Sequence, residues 1–198
     1  MIFIHQCISG FTQTADRPHG LLKLSEQLHA LGFNNRVSRV SLLPWNADWS
    51  QVAEHYWLLS QHHNLPVIVN MYAYSWGVGW GAVRLAEELR RRDVHVETIV
   101  AADGVFRHPN PLLRWQSLLR RDLTLSPVIH IPANVTRVIP FHQTLNRPQG
   151  HRIVGGEGFS GEIRPSRELH ATHQYCDDAH EFHEAAIAAA HRLTEVVL

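Results

Sequence analysis

Ser75 stands where an apolar run breaks into small residues, in the stretch IVNMYAYSWGVGWGA at residues 68–82. The five residues Ala73-Tyr74-Ser75-Trp76-Gly77 fit the pattern small-x-Ser-x-Gly between a strand and a helix. A sharp turn of this kind strains the backbone of its central residue, so the neighbouring side chains must be small. The turn also lifts the Ser75 hydroxyl above the sheet and aims the first helical amide, that of Trp76, at a developing oxyanion. The pattern predicts a nucleophilic serine.

The same stretch supports a second interpretation, because Gly77-Val78-Gly79-Trp80-Gly81-Ala82 satisfies the dinucleotide-binding pattern G-x-G-x-x-A. Asp103 follows Ala82 by 21 residues, close to where a ribose-binding acid belongs. In that motif, however, the first glycine lies in the turn directly after the strand, and here Ser75 and Trp76 occupy this position. A nucleotide-binding oxidoreductase that uses the Gly77-Val78-Gly79 loop therefore stays an alternative, as does a purely structural turn.

On the Ala73–Gly77 motif the chain resembles the α/β-hydrolase family, in particular its small lidless lipase-, esterase- or thioesterase-like members. The resemblance extends from the first strand and its Gly10-Phe11 loop to the last helix. It implies a serine hydrolase that cleaves an ester or thioester through an acyl-serine intermediate and needs no cofactor. It also implies a base near the C-terminus and an acid between the serine and the base in the chain. A non-catalytic member that keeps this fold as a binding module is a further alternative.

A serine needs a base to remove its proton, and the sequence offers 16 histidines, so location must decide among them. His173 lies after a late predicted strand and just before the last predicted helix, which is where the resemblance places the base. We therefore assign His173 as the base, with His170 and His180 as alternatives.

In the family that the chain resembles, the acid usually follows the strand that corresponds to the one predicted here at 135–141. Residues 142–146 of this chain, however, contain no carboxylate. Some members take the acid from one strand earlier, and here that strand ends at Asp103. A buried aspartate at that edge would hold the imidazole in its useful tautomer, so we assign Asp103 as the acid, the other interpretation being a helix or turn cap. For the oxyanion hole, the resemblance implies the amides of Trp76 and of Phe11 in the loop after the first strand.

Metal chemistry has one candidate site in the sequence. His180-Glu181-Phe182-His183 places two imidazoles three residues apart on a helix, which suits a metal ion. The spacing is one residue short of H-E-x-x-H, so we expect no metal and no cofactor.

Strands alternate with helices along the chain, which predicts a mostly parallel sheet with helices on both faces. This is a three-layer α/β architecture, similar to that of α/β hydrolases, and we expect a single domain over residues 1–198. The predicted strands lie at about 1–5, 36–43, 66–71, 94–102, 135–141 and 169–172, and the predicted helices at about 21–32, 49–62, 79–92, 111–121 and 179–197, with an extended loop or hairpin at 146–165. Ligands of such sheets bind beyond the carboxyl ends of the strands.

Composition narrows the partners. The formal net charge is zero, which gives no sign of a nucleic-acid partner. No apolar run approaches the roughly 20 residues of a membrane span, and two cysteines do not form a disulfide framework. We expect a soluble cytoplasmic protein that acts on a small acyl ester or thioester, and the sequence leaves its oligomeric state open.

Overall fold

Seven parallel strands form the central sheet of the computed structural model, which describes residues 1–13, 17–110 and 127–195. The strands are β1 (Ile2–Ser9), β2 (Ser38–Pro44), β3 (Val67–Tyr74), β4 (His95–Ala102), β5 (Ile129–Ile131), β6 (Val135–His142), β7 (Ile153–Gly155), β8 (Glu162–Ile163) and β9 (Arg167–Glu168). The order in the sheet is β2-β1-β3-β4-β6-β8, with β9 also paired to β6, while β5 and β7 form a separate two-stranded sheet. Every pairing among the described residues is parallel.

Helices cover both faces of this sheet. The α-helices of the described residues are α1 (Gly20–Ala30), α2 (Trp49–His63), α3 (Val83–Arg90) and α4 (His180–Glu195). Residues of α2 and α3 pack in one hydrophobic core, and residues of α1 and α4 pack in a second core on the opposite face. The predicted three-layer α/β fold is therefore confirmed.

Strand β3 shows how the sequence builds the two cores. Successive side chains of a strand point to opposite faces, and accordingly Met71 and Ala73 lie in the core of α2 and α3, whereas Tyr72 and Tyr74 lie in the core of α1 and α4. Both faces of β3 are buried, as its nearly continuous apolar sequence predicts. Burying one large apolar side chain contributes about 1.5–3 kcal/mol, so a strand buried on both faces is a rigid base for whatever follows it.

Two predicted boundaries near the sheet edge need correction. Strand β1 continues to Ser9, beyond the predicted end at residue 5, because it pairs with β2 over its whole length. The helix predicted at 79–92 ends at Arg90 and is preceded by a π-helical turn, Gly77–Ala82.

The C-terminal third differs more from prediction. The strand predicted at 169–172 is wrong in its position: β9 lies two residues earlier, at Arg167–Glu168. The Leu169 N–H still donates to the His142 carbonyl of β6 (2.8 Å), and the chain then enters a 3₁₀ turn, His173–Asp178, in which the Thr172 carbonyl accepts the Tyr175 N–H. The segment 146–165 is not a hairpin, because its strands β7 and β8 pair with β5 and β6 rather than with each other. The helix predicted at 111–121 lies outside the described residues.

Within the described ranges, no helix combines the length and the apolar character needed to cross a lipid bilayer.

Candidate active site

Ser75 occupies the corner between β3 and the π-helical turn, and its backbone is held from both sides. Its φ of 54° lies in the left-handed region, which is costly for a residue that carries a Cβ. The Ser75 N–H donates to the Ala102 carbonyl (3.1 Å), and the Ser75 carbonyl accepts the N–H groups of Val78 (3.1 Å), Gly79 (3.2 Å) and Val105 (3.0 Å). These four hydrogen bonds stabilise a backbone conformation that is energetically unfavourable for serine by itself.

Small residues after Ser75 let the turn pack directly against neighbouring backbone. A Cβ placed on Gly77 would lie 2.4 Å from the Ile8 carbonyl oxygen, and one on Gly79 would lie 2.0 Å from the Val105 carbonyl oxygen. Both distances are shorter than any van der Waals contact, so these positions require glycine. The requirement for small residues that the sequence suggested has its physical cause in these two contacts.

The Ser75 hydroxyl lies within hydrogen-bond distance of an imidazole from near the end of the chain. Ser75 Oγ is 3.0 Å from Nε2 of His173, and only 5% and 6% of the two residues are exposed. The ring of Tyr74 lies 5.0 Å from the imidazole, centroid to centroid, and limits how far the imidazole can swing. Burial raises the pKa of Tyr74, which keeps this neighbour a neutral phenol.

Asp103 receives hydrogen bonds on both of its carboxylate oxygens. Oδ2 is 2.6 Å from Nδ1 of His173 and accepts the side-chain amide of Gln143 (3.1 Å). Oδ1 accepts the backbone N–H groups of Gln143 (3.2 Å) and Gly150 (2.7 Å). The carboxylate is fully buried, so these donors replace the water that it would otherwise bind.

The contact with Asp103 fixes the tautomer of His173. An ionised carboxylate can only accept hydrogen bonds, so Nδ1 of His173 carries the proton and Nε2 offers its lone pair to the Ser75 hydroxyl. Ser75, His173 and Asp103, the three side chains assigned from the sequence, thus form one chain of hydrogen bonds. Such a chain can pass the Ser75 proton to the imidazole and stabilise the imidazolium that results.

The segment that carries His173 is fixed at both ends. The His173 N–H donates to Oδ1 of Asn146 (2.7 Å), in the loop after β6. At the other end of the 3₁₀ turn, Oδ2 of the buried Asp177 accepts from Nε2 of Gln13 (2.7 Å) and from the N–H of Leu21 in the first turn of α1. Asp177 therefore binds the turn that follows His173 to the N-terminal turn of α1.

Phe11 and Trp76, the two residues assigned to an oxyanion hole, lie side by side next to Ser75. Their ring centroids are 4.4 Å apart, and a Cβ on Gly10, the residue before Phe11, would lie 3.1 Å from the Ser75 Cβ. The loop after β1 therefore reaches the corner that carries the serine. The role of the two amides as oxyanion donors stays a prediction.

The rings of Phe11, Trp45 and Trp76 form an aromatic wall beside Ser75, at the carboxyl edge of the sheet. The Trp45 ring contacts those of Trp76 (5.0 Å) and Phe11 (6.1 Å). The guanidinium of the buried Arg107 lies 4.6 Å from the Trp45 ring and 4.5 Å from the Trp80 ring. Sequence reasoning missed Trp45 and Arg107, although each follows closely after a strand of the sheet and so belongs to the edge where ligands bind.

The dinucleotide interpretation meets three obstacles in this geometry. Gly77 and Gly79 face protein backbone, so no space is left above them for a pyrophosphate. The N–H groups of Val78 and Gly79 donate to the Ser75 carbonyl and not outward. Asp103, the candidate ribose acid, is buried against His173. The structure therefore disfavours a nucleotide at this loop.

The other candidate residues have separate partners. His183 is buried and contacts Oε1 of Gln27 and the Asp177 carbonyl, both at 2.8 Å, whereas the exposed His180 pairs with Glu184. The two imidazoles therefore do not face a common point. His170 is exposed, and the imidazole that contacts Ser75 is that of His173.

Comparison of the sequence with models of known protein families and with curated proteins gives no match.

Proposed function

We propose that this protein is a serine hydrolase of the α/β-hydrolase type that cleaves an ester or thioester through an acyl-serine intermediate. The observation that carries the proposal is the pair of hydrogen bonds of His173, 3.0 Å from Nε2 to Ser75 Oγ and 2.6 Å from Nδ1 to Asp103 Oδ2. If these three side chains served only the stability of the fold, Ser75 would not need a strained backbone and Asp103 would not need to be fully buried.

Each group has a role in the proposed reaction. The Ser75 oxygen attacks the carbonyl carbon while its proton moves to Nε2 of His173, and Asp103 stabilises the imidazolium. The imidazolium then gives this proton to the departing alkoxide or thiolate, which leaves the acyl group on Ser75. A water molecule, deprotonated by the same nitrogen, attacks the acyl carbon and releases the acid and the free serine.

The amides of Trp76 and Phe11 are the proposed donors to the oxyanion in both halves of this reaction. They belong to residues that lie beside Ser75 and contact each other. Donors fixed in advance at the place where negative charge develops supply much of the rate enhancement in acyl transfer. Apolar parts of the substrate would contact the aromatic wall of Phe11, Trp45 and Trp76.

A fluorophosphonate probe tests the proposal directly, because it reacts with a serine only when a neighbouring base activates it. We expect stoichiometric labelling, located at Ser75 by peptide mapping, together with hydrolysis of p-nitrophenyl acetate. Both should disappear in Ser75→Ala. Ser166 is a suitable control, since its hydroxyl also contacts a histidine, Nδ1 of His142 at 2.9 Å, but without a buried acid; Ser166→Ala should keep labelling and activity.

Two results would contradict the proposal. A folded wild-type protein that is neither labelled nor active would favour the non-catalytic binding module that keeps the same fold. A thermal shift with NAD or NADP, abolished by substitution in the Gly77-Val78-Gly79 loop, would favour the oxidoreductase. Action in the cytoplasm on a small acyl substrate, without a nucleic-acid partner, stays a prediction from the sequence.

A further inference from the structure

Gln143 is a fully buried glutamine directly after β6, at the sheet edge that carries the candidate site. It belongs to the segment 142–146, which contains no carboxylate. Burying a side-chain amide is costly unless its donors and acceptor find partners. The hydrogen-bond partners of the Gln143 side chain therefore indicate its role in the structure.

The side-chain amide of Gln143 connects the acid to the loop that holds the base. Its Nε2 lies 3.1 Å from Asp103 Oδ2, 3.0 Å from the Asn146 carbonyl and 2.9 Å from the Pro148 carbonyl. Its Oε1 accepts the Asn146 N–H at 2.9 Å. The side chain of Asn146 in turn accepts the His173 N–H. One amide therefore contacts both the carboxylate and the loop whose asparagine fixes the backbone of His173.

We propose that Gln143 is a positioning residue for the Asp103–His173 pair. Its Nε2–H donates to Oδ2, the same oxygen that faces Nδ1 of His173, and so fixes the rotation of the carboxylate about its Cβ–Cγ bond. Because Nε2 carries only two hydrogens for its three acceptors, one hydrogen is shared between two of them. The contacts with the Asn146 and Pro148 carbonyls keep the loop at the distance that this rotation requires. The inference rests on the proposed function, in which the acid must face the imidazole with the right oxygen.

If Gln143 had only a structural role, replacing it would lower the stability of the protein and change nothing else. The test therefore needs a measurement that does not depend on stability, and a charged side chain at position 143 provides one. Gln143→Glu has nearly the same shape but places a second carboxylate beside Oδ2. That added negative charge stabilises the imidazolium of His173. The other ionisable groups near the imidazole are Tyr74 and Cys176, whose pKa values burial raises, and the carboxylate of Asp177, which is unchanged in the variant.

The experiment compares Gln143→Glu and Gln143→Leu in the full chain, with p-nitrophenyl acetate as the substrate. For Gln143→Leu we expect kcat to fall by about 10- to 100-fold, as for a small misplacement of a reacting group, while KM stays within about threefold because no substrate contact is lost. For Gln143→Glu we expect the acid limb of kcat/KM to move to higher pH by about one unit or more, because a nearby opposite charge favours the protonated imidazole. The leucine variant should not show this movement.

Asn134 offers a matched control. Its side-chain amide is also partly buried and donates to two carbonyls, those of Ala86 (3.1 Å) and Val94 (3.0 Å), away from the site. Asn134→Leu and Asn134→Asp should alter the melting temperature but leave kcat and the pH profile unchanged. The inference is overturned if folded Gln143→Leu keeps kcat within twofold of the wild type, or if Gln143→Glu leaves the acid limb in place.

A measurement without turnover separates this inference from the proposed function. NMR titration of the His173 imidazole should show a higher midpoint in Gln143→Glu than in the wild type, whether or not the protein hydrolyses an ester. An inactive wild type with this shift would reject the hydrolase and keep the positioning role. An active wild type in which the midpoint does not move would reject the positioning role and keep the hydrolase. The readout needs only the near-isosteric variant, so it holds if Gln143→Leu does not fold.

Discussion

Ser75 and Asp103 occupy equivalent corners, each directly after one of two paired strands, and both have left-handed backbone conformations. Their φ angles are 54° and 42°, and the Ser75 N–H donates to the carbonyl of Ala102, the residue before Asp103. For residues with a Cβ this conformation costs roughly 1–2 kcal/mol each. Two of the three side chains with proposed chemical roles thus lie on strained backbone, and the surrounding hydrogen bonds must offset this strain.

The strain at Ser75 gives a first prediction. Ser75→Ala and Ser75→Gly should both lose all hydrolysis, because neither has a nucleophile. Glycine adopts a positive φ without steric cost, whereas alanine keeps the strain. We therefore expect the glycine variant to be more stable than the alanine variant by about 1 kcal/mol, measured by urea unfolding. An alanine variant of equal or greater stability would show that the corner is not strained.

Asp103→Asn should lower kcat by about four orders of magnitude while the protein stays folded, because the amide favours the wrong tautomer of His173. The oxygen of the new side chain can still accept the backbone N–H groups of Gln143 and Gly150. Steady-state kinetics and circular dichroism measure the two effects. Asp178→Asn is the control, since this aspartate pairs with Lys23 at the surface. A loss of less than tenfold would remove Asp103 from the proposed mechanism.

The loop after β1 is tested through its backbone. Phe11→Pro removes the amide hydrogen assigned to the oxyanion hole, and Phe11→Ala keeps that hydrogen but removes the ring. We expect kcat of the proline variant to lie about 10²- to 10³-fold below that of the alanine variant. The alanine variant should mainly raise KM, because Phe11 contributes to the aromatic wall. Equal kcat values in two variants with similar melting temperatures would assign the second donor elsewhere.

A further prediction concerns acid stability, which we expect to depend on His5, a fully buried residue of β1. Burial lowers the pKa of this imidazole from 6.5 to about 4. The His5 imidazole therefore binds a proton below about pH 6.5 in the unfolded chain but only below about pH 4 in the folded protein. Because the unfolded state binds more protons between these values, the free energy of unfolding falls as the pH falls from 6.5 to 4. A pKa difference of this size corresponds to a loss of about 3 kcal/mol in the free energy of unfolding.

The variant His5→Phe should remove this part of the pH dependence. Phenylalanine has no titrating nitrogen, and the Tyr72 hydroxyl that faced Nδ1 of His5 at 2.9 Å still has Asn70 as a neighbour. Urea unfolding of both proteins at several pH values between 4 and 7 measures the slopes. Parallel curves for the two proteins would place the acid sensitivity at other groups.

The sequence predicts the serine corner well because its determinants are local. Small residues at 73, 77 and 79 follow a buried strand, and their spacing alone indicates the turn. The position of Asp103 is also predictable, because the carboxyl ends of neighbouring parallel strands meet at one edge.

The partners of Asp103 could not be predicted in the same way. The side chain of Gln143 and the N–H of Gly150 come from 40 and 47 residues away, and they reach the carboxylate only after the loop beyond β6 has folded back. The error at 169–172 has a similar cause. The strand forms two residues earlier, at Arg167–Glu168, because its position depends on pairing with β6. The 3₁₀ turn that follows from His173 depends on Asp177 binding to Gln13 and to α1, contacts that no local pattern encodes.

The bond between Gln13 and Asp177 has a mechanical consequence. It ties the loop of Phe11 to the turn that begins with His173, since the Gly10 N–H also donates to the Gln13 side chain at 2.9 Å. A displacement of one of these segments would therefore be transmitted to the other through the Gln13 side chain. In the proposed mechanism, a substrate that contacts the loop of Phe11 would thus also affect the position of His173.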